Sequence, residues 1–209
     1  MVSVSGGNLR IKIKRDEALG KNWVRTGAVQ TRKALPNYWG EILYENTYGY
    51  YEARVKFPVV QGTWGAFWLM TRTMEQIPNS GAIGTEIDIV ETIHNQQGKY
   101  SFALHWDGYG SNHKSTGKEP QPVPVNIYDG SYHTFALDWS PSEYVFYVDS
   151  HEVWRVDGGA NFNNSGINRN PNYIIFSVEG ADWAWDLSPD FDEAEVLIDY
   201  VRVWNQPQR

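Results

Sequence analysis

Three carboxylates crowd one short segment, GTEIDIVETIH at residues 84–94: Glu86, Asp88 and Glu91. The residues between them, Ile87, Ile89 and Val90, are β-branched and apolar. Such a run is either a strand with a solvated face or a surface that offers a proton donor beside a nucleophile. Crowded acids repel one another, so their pKa values separate, and one carboxyl keeps its proton while another is ionised. That chemistry requires a shared face, and geometry tests for one. On a helix, Glu86 and Glu91 would lie about 140° apart around the axis. On a regular strand Glu86 and Asp88 share a face, but Glu91 has the opposite parity. One extra residue near Ile89-Val90, a β-bulge, resets the parity and returns Glu91 to the face of the other two. Ile87 then points into the core, and Ile89 or Val90 joins it.

With the bulge counted out, the two glutamates are about four strand steps apart, roughly 13 Å between Cα atoms. Long side chains leaning toward each other across Asp88 close the carboxyl separation to about 5–6 Å. A retaining glycosidase needs about 5–5.5 Å, and an inverting one needs more. Asp88, in the middle, is placed to hydrogen-bond one glutamate and orient it.

The elements that must hold these acids are strands. Helical periodicity is almost absent, and short β-branched or aromatic runs alternate with Gly, Pro, Asn and Asp clusters, as in an all-β sandwich or barrel. Asn8 to Lys14 places Leu9, Ile11 and Ile13 on one face and Arg10, Lys12 and Lys14 on the other. Further strands are expected at Gly27–Lys33, Tyr48–Phe57, Trp64–Thr71, Thr85–Thr92, Lys99–Trp106, Tyr132–Trp139, Glu143–Asp149, His151–Asp157, Asn172–Glu179 and Glu195–Trp204. SPSEYVFYVDSHEVWRVDG reads as a hairpin turning at Asp149-Ser150. Both faces of its YVFYV are apolar or aromatic, which suits a strand between two layers or one lining a cleft. The longest irregular stretches are Gly108–Asn126, Gly158–Pro171 and Gly180–Glu193, and loops of such length are usually functional or disordered. The last carries ADWAWD, whose Trp183 and Trp185 suit contact with a ligand better than core packing.

A length of 209 residues suits one domain, 1–209, with a sizeable core. With no Cys, disulfides, zinc-thiolate sites and thiol nucleophiles are excluded. No apolar run reaches membrane-helix length, and MVSVSGGNLRIKIK has no signal-peptide core. A net charge of −7 argues against a binder that tracks nucleic-acid phosphates. The aromatic content, 15% with 10 Trp, suits an aromatic core, a surface that stacks sugar rings, or both.

Glu-Ile-Asp-Ile-Val-Glu resembles the signature of glycoside hydrolase family 16 in its bulged, laminarinase-like form. Five further stretches match the family in order: TGAVQTR, YGYYEARVKFPVVQGTWGAFWLM, FALHW, YHTFALDWSPSEYVFYVDSHEVWRV and VLIDYVRVW. The resemblance implies an all-β jelly-roll sandwich whose concave face binds an extended polysaccharide. It implies Glu86 as nucleophile, Glu91 as general acid/base and Asp88 as the assisting residue. Trp64 falls where the family stacks a sugar, and Trp68 and Trp106 are expected in the core. His105 is expected in the cleft beside the acids, and Trp183 beside the sugar. The resemblance implies no catalytic cofactor and a structural calcium bound by the Gly7 carbonyl and the Asp199 carboxylate. It also implies a secreted or cell-surface protein with polysaccharide as its partner; nothing in the sequence indicates an obligate protein partner, so a monomer is expected. Two departures stand out. Only Met1 to Ser5 precede the strand GGNLRIKIK, where the family has a longer segment contributing an edge strand, and IIFSVEGADW replaces the NLAVGG-like run of laminarinases. The expected reaction is retaining endo-hydrolysis of β-1,3- or mixed β-1,3/1,4-glucan. Galactans (agarose, porphyran, carrageenan), xyloglucan and a catalytically silent glucan-binding module are the alternatives.

Overall fold

The computed structural model describes residues 1–20, 23–33, 40–74, 80–93, 98–119, 125–160, 164–180 and 187–205. Among them are fourteen strands: β1 Val2–Ser5, β2 Asn8–Arg15, β3 Val24–Arg25, β4 Gly27–Gln30, β5 Gly49–Lys56, β6 Thr63–Thr71, β7 Glu86–Glu91, β8 Ser101–Trp106, β9 Lys114–Lys118, β10 His133–Trp139, β11 Glu143–Val148, β12 His151–Asp157, β13 Asn172–Gly180 and β14 Glu193–Trp204. They form two antiparallel sheets. One runs β1-β2-β14-β5-β10-β11-β12 with β3 beside β2, and the other runs β4-β13-β6-β7-β8-β9. This is the jelly-roll sandwich that the sequence suggests.

Alternation explains the layers. On β5, Tyr51, Ala53 and Val55 are buried while Tyr50, Glu52, Arg54 and Lys56 are half-buried on the outside. On β6, Phe67 and Leu69 face inward, and on β13 so do Ile174, Phe176 and Val178. Phe67 and Phe176 stack across the two strands at 4.6 Å. Trp106 and Trp139 are fully buried, as expected for Trp106. The buried side chains of both sheets form one continuous core cluster.

Three features differ from expectation. Val2–Ser5 itself supplies the edge strand, pairing with β2 from Val2↔Ile11 to Ser5↔Asn8. Lys114–Lys118 forms an edge strand inside the stretch expected to be irregular. Its sequence KSTGK is polar on both faces, so no apolar pattern marks it. YVFYV lies in the other sheet from the acids, where Tyr144, Phe146 and Val148 join the core and Tyr147 packs on Tyr50 outside. The hairpin turn is where the sequence puts it, with Asp149 and Ser150 at φ 46° and 66°, the left-handed pair a tight two-residue turn requires.

Candidate active site

β7 lies between β6 and β8, so both its edges are hydrogen-bonded. Its inward residues set its register. Ile87, Ile89 and Val90 are all fully buried, and burying each is worth about 1.5–3 kcal/mol. A one-residue slip would expose them at a cost of roughly 5–9 kcal/mol, comparable to the whole stability of a domain. The acids therefore occupy the opposite face.

The bulge is where parity demanded it. Against β8, Asp88 pairs with Ala103 and Glu91 with Ser101, so three steps on β7 match two on β8. Against β6, Asp88 pairs with Trp68 and Val90 with Phe67, leaving Ile89 as the extra residue. Both Ile89 and Val90 enter the core, and Glu91 returns to the outer face with Glu86 and Asp88.

Buried threonines hold the strand at each end. Thr85 Oγ1 donates to the Gly81 carbonyl at 2.8 Å, and Asn172 Nδ2 donates to the Thr85 carbonyl at 2.9 Å. Beyond Glu91, Thr92 N donates to the Gly65 carbonyl at 3.0 Å, while Gly65 N donates to Thr92 Oγ1 at 2.8 Å. Position 65 has room only for glycine, because a Cβ would come within 2.8 Å of the Phe57 ring. This clasp sets Glu91 beside Trp64.

The face around the acids is built from neighbouring strands. Trp64 and Trp68 lie on β6 with the parity of Ala66, opposite to the core residues Phe67 and Leu69. Trp68 thus corrects the expectation of a core residue: it is half-buried on the cleft side, and its Nε1 donates to Ser177 Oγ at 3.2 Å. The reason is parity, since any core side chain on this strand must be odd-numbered from Gly65 onward. His105 lies directly across from Glu86 on β8, with Nε2 3.3 Å from Asp88 Oδ2. Trp183 and Trp185 lie outside the described residues.

Two cleft residues escaped the sequence reading. Tyr109 donates its hydroxyl hydrogen bond to Glu86 Oε2. His113 sits with Nε2 3.0 Å from His105 Nδ1. Both belong to the β8–β9 turn, which opens with Asp107 and Gly108 at φ 66° and 69° and is tied down by Lys114 Nζ donating to Asp107 Oδ2 at 2.6 Å. The only signal was the position of DGYGSNH directly after the His105 strand, within a loop flagged for its length.

The electrostatics follow from burial and mutual repulsion. Glu86 is pushed up to about 8, first by burial and then by the charge of Asp88, while the Tyr109 hydroxyl and His105 oppose the shift. Asp88 is also pushed up to about 8, by burial. Glu91 rises well above the ordinary glutamate range through burial and the charges of Asp88 and Glu86. His105 and the indole N–H of Trp64 oppose that rise, although the Trp64 N–H makes no full hydrogen bond. Burial and mutual repulsion thus push all three acids upward, and the Tyr109 hydroxyl works against that rise at Glu86.

Gly7 and Asp199 both line one cavity of about 330 Å³. Most of that lining is apolar, including Val4, Leu9, Val29, Phe176 and Ile198. Asp199 accepts from Arg54 Nη1 at 2.7 Å. Calcium takes six to eight oxygens. A single carboxylate already paired with a guanidinium does not make that cage as it stands.

Residues 43–202 match the family Glycosyl hydrolases family 16. The chain is 24% identical over 205 residues to the clotting factor G alpha subunit of Tachypleus tridentatus, covering 96% of this chain and 28% of that one. It is 26% identical over 214 residues to a beta-glucanase of Rhodothermus marinus, covering 96% of this chain and 69% of that one. A family 16 endo-glucanase structure from Bacteroides ovatus superposes with a TM-score of 0.72 at 22% identity, covering 97% of this chain and 84% of that one, which shows the shared fold. The match spans most of the chain and includes β7 with its three acids, so the chain belongs to glycosyl hydrolases family 16.

Proposed function

We propose that this chain is a retaining endo-β-glucanase acting on β-1,3- or mixed β-1,3/1,4-glucan. The carrying observation is the β7 bulge, which gathers Glu86, Asp88 and Glu91 on one outer face under mutual repulsion. In this reading Glu86 attacks the anomeric carbon to form a covalent glycosyl–enzyme. Glu91 gives its proton to the leaving oxygen, then takes one from the water that releases the sugar. The charge of Asp88 raises both glutamates' pKa values, and His105 stands against Asp88. Trp64 and Trp68 offer indole faces for pyranose stacking along β6. The names of similar proteins, a beta-glucanase and an endo-glucanase, support the glucan substrate.

Polymeric glucan lies outside the cell, so the same reading makes the protein secreted or surface-bound and active as a monomer. A structural calcium at Gly7 and Asp199 rests on family resemblance; the ion would have to take Asp199 from Arg54. A fall in Tm on adding EDTA supports it, and an unchanged Tm refutes it.

The deciding experiment incubates the protein with laminarin, barley β-glucan, xyloglucan, agarose and carrageenan, and follows the first products by ion chromatography and NMR. Short oligosaccharides released from laminarin or barley glucan with a β-configured new reducing end support the proposal. An α-configured first product refutes the retaining mechanism, and release from a galactan alone refutes the substrate.

A further inference from the structure

We propose that Glu86, Asp88 and His105 form a binding site for a divalent transition cation of the zinc or copper type, and that an ion held there blocks the cleft. One ligand atom from each of the three lies within 4.8 Å of the other two. The tightest pair, His105 Nε2 and Asp88 Oδ2, is 3.3 Å apart. Two ligands bonded at about 2.0–2.1 Å to a tetrahedral ion stand about 3.3 Å from each other, so this edge of the site is already at bonding size. A rotation of the longer Glu86 side chain closes the rest.

Asp88 supplies a second, independent observation. It is 4% exposed, and its Oδ2 makes no hydrogen bond among the described residues, even though an imidazole nitrogen stands 3.3 Å away. A buried carboxylate oxygen in that state costs free energy unless something else approaches it.

His113 completes the arrangement. The His105 and His113 rings are tilted by only 10°, with centroids 5.1 Å apart and Nδ1···Nε2 at 3.0 Å. These values describe two rings edge to edge in nearly one plane, joined by an in-plane N–H···N bond. With His113 Nε2 accepting, His105 carries its proton on Nδ1 and turns a bare Nε2 toward the acids. A metal-binding histidine is held in this way, with its other nitrogen donating to a neighbour that fixes the tautomer. One imidazole and two carboxylates suit zinc or copper better than calcium or magnesium, which prefer all-oxygen sets.

Binding stands independently of the proposed reaction; inhibition rests on Glu86 being the nucleophile. The metal-stripped protein is therefore titrated with zinc chloride by calorimetry in the absence of substrate, and separately assayed on the polymer it hydrolyses. One zinc per chain with micromolar affinity, absent with calcium, is expected. His105→Gln should weaken zinc at least tenfold. His113→Gln keeps all three ligands and should weaken it about tenfold to a hundredfold, as loss of an orienting partner does. Zinc should raise KM, and EDTA should reverse the effect. No binding up to millimolar zinc, or binding unchanged in both variants, overturns the site. One-to-one, His105-dependent binding without inhibition overturns the blocking role and counts against Glu86 as nucleophile.

Discussion

Strands β7 and β14 read alike in the sequence and meet opposite fates. EIDIVE and EAEVLID both alternate acids with apolar residues, and both strands carry a bulge, at Ile89 and at Asp199. On β14 each outward acid faces a cation: Glu193 lies opposite Lys14 and bonds Lys12 at 2.7 Å, Glu195 bonds Arg10 at 2.7 Å, and Asp199 bonds Arg54 at 2.7 Å. Lys12 holds Glu193 below the ordinary glutamate range. On β7 the cross-strand neighbours are Trp68, Ala66, His105, Ala103 and Ser101. Among the described residues, no Lys or Arg forms an ion pair with Glu86, Asp88 or Glu91, and all three are pushed upward. The same sequence pattern thus makes a solvated, charge-balanced surface in one sheet and a buried acid cluster with upward-shifted pKa values in the other. What differs is the company supplied by neighbouring strands.

The comparison can be broken most severely at Glu86. Glu86→Gln should lower turnover at least about 10⁴-fold while the melting transition stays cooperative. Residual activity near wild type would show that β7 is merely another polar face. Glu91→Gln should cost about 10²–10⁴-fold, the usual worth of a general acid, with less loss on substrates whose leaving group needs no proton. The same variant sharpens the stability side. Between about pH 4 and 8 the folded cluster binds protons that the unfolded chain has released, so stability falls as pH rises across that window. Glu91→Gln should therefore raise Tm by a few degrees at pH 8 and by less at pH 5. An equal shift at both pH values would contradict the raised pKa values.

Asp88→Asn should slow turnover about tenfold to a hundredfold, the loss typical of a mispositioned reacting group, and should shift the acidic limb of the pH–rate profile. A loss exceeding that of both glutamate variants would make Asp88 the central group instead. The smallest effect belongs to the other sheet. Glu195→Gln breaks pairs to Arg10 and Lys12 that remain about a third exposed, so Tm should move by no more than about 2–3 °C, with activity unchanged. A fall in activity would mean the two sheets are coupled in a way their cores do not suggest.

Much of this was legible before any coordinates. Alternation in NLRIKIKR, FALHW and YYEARVKF marks strands because burying one face is worth more than any local propensity. The bulge was legible because an acid trio that must share a face cannot do so at spacings of two and three without an extra residue. Edge strands β1 and β9 were not, because a strand with few buried residues leaves no hydrophobic signature. Trp68 was misassigned because Trp is apolar enough for either face, and only its pairing opposite Asp88 decides which.

The sequence alone therefore determined the sandwich, the acid trio, its bulge and the family, since each depends on residue type and short-range parity. Tertiary structure decided that Tyr109 reaches Glu86, that His113 contacts His105, and that buried Asp88 has His105 beside it and, among the described residues, no Lys or Arg, while Asp199 has Arg54. Residue type and spacing alone do not place these side chains against one another, even where, as with His105 and His113, they belong to one hairpin. Charge state is set by distance in space, and the fold alone sets that distance.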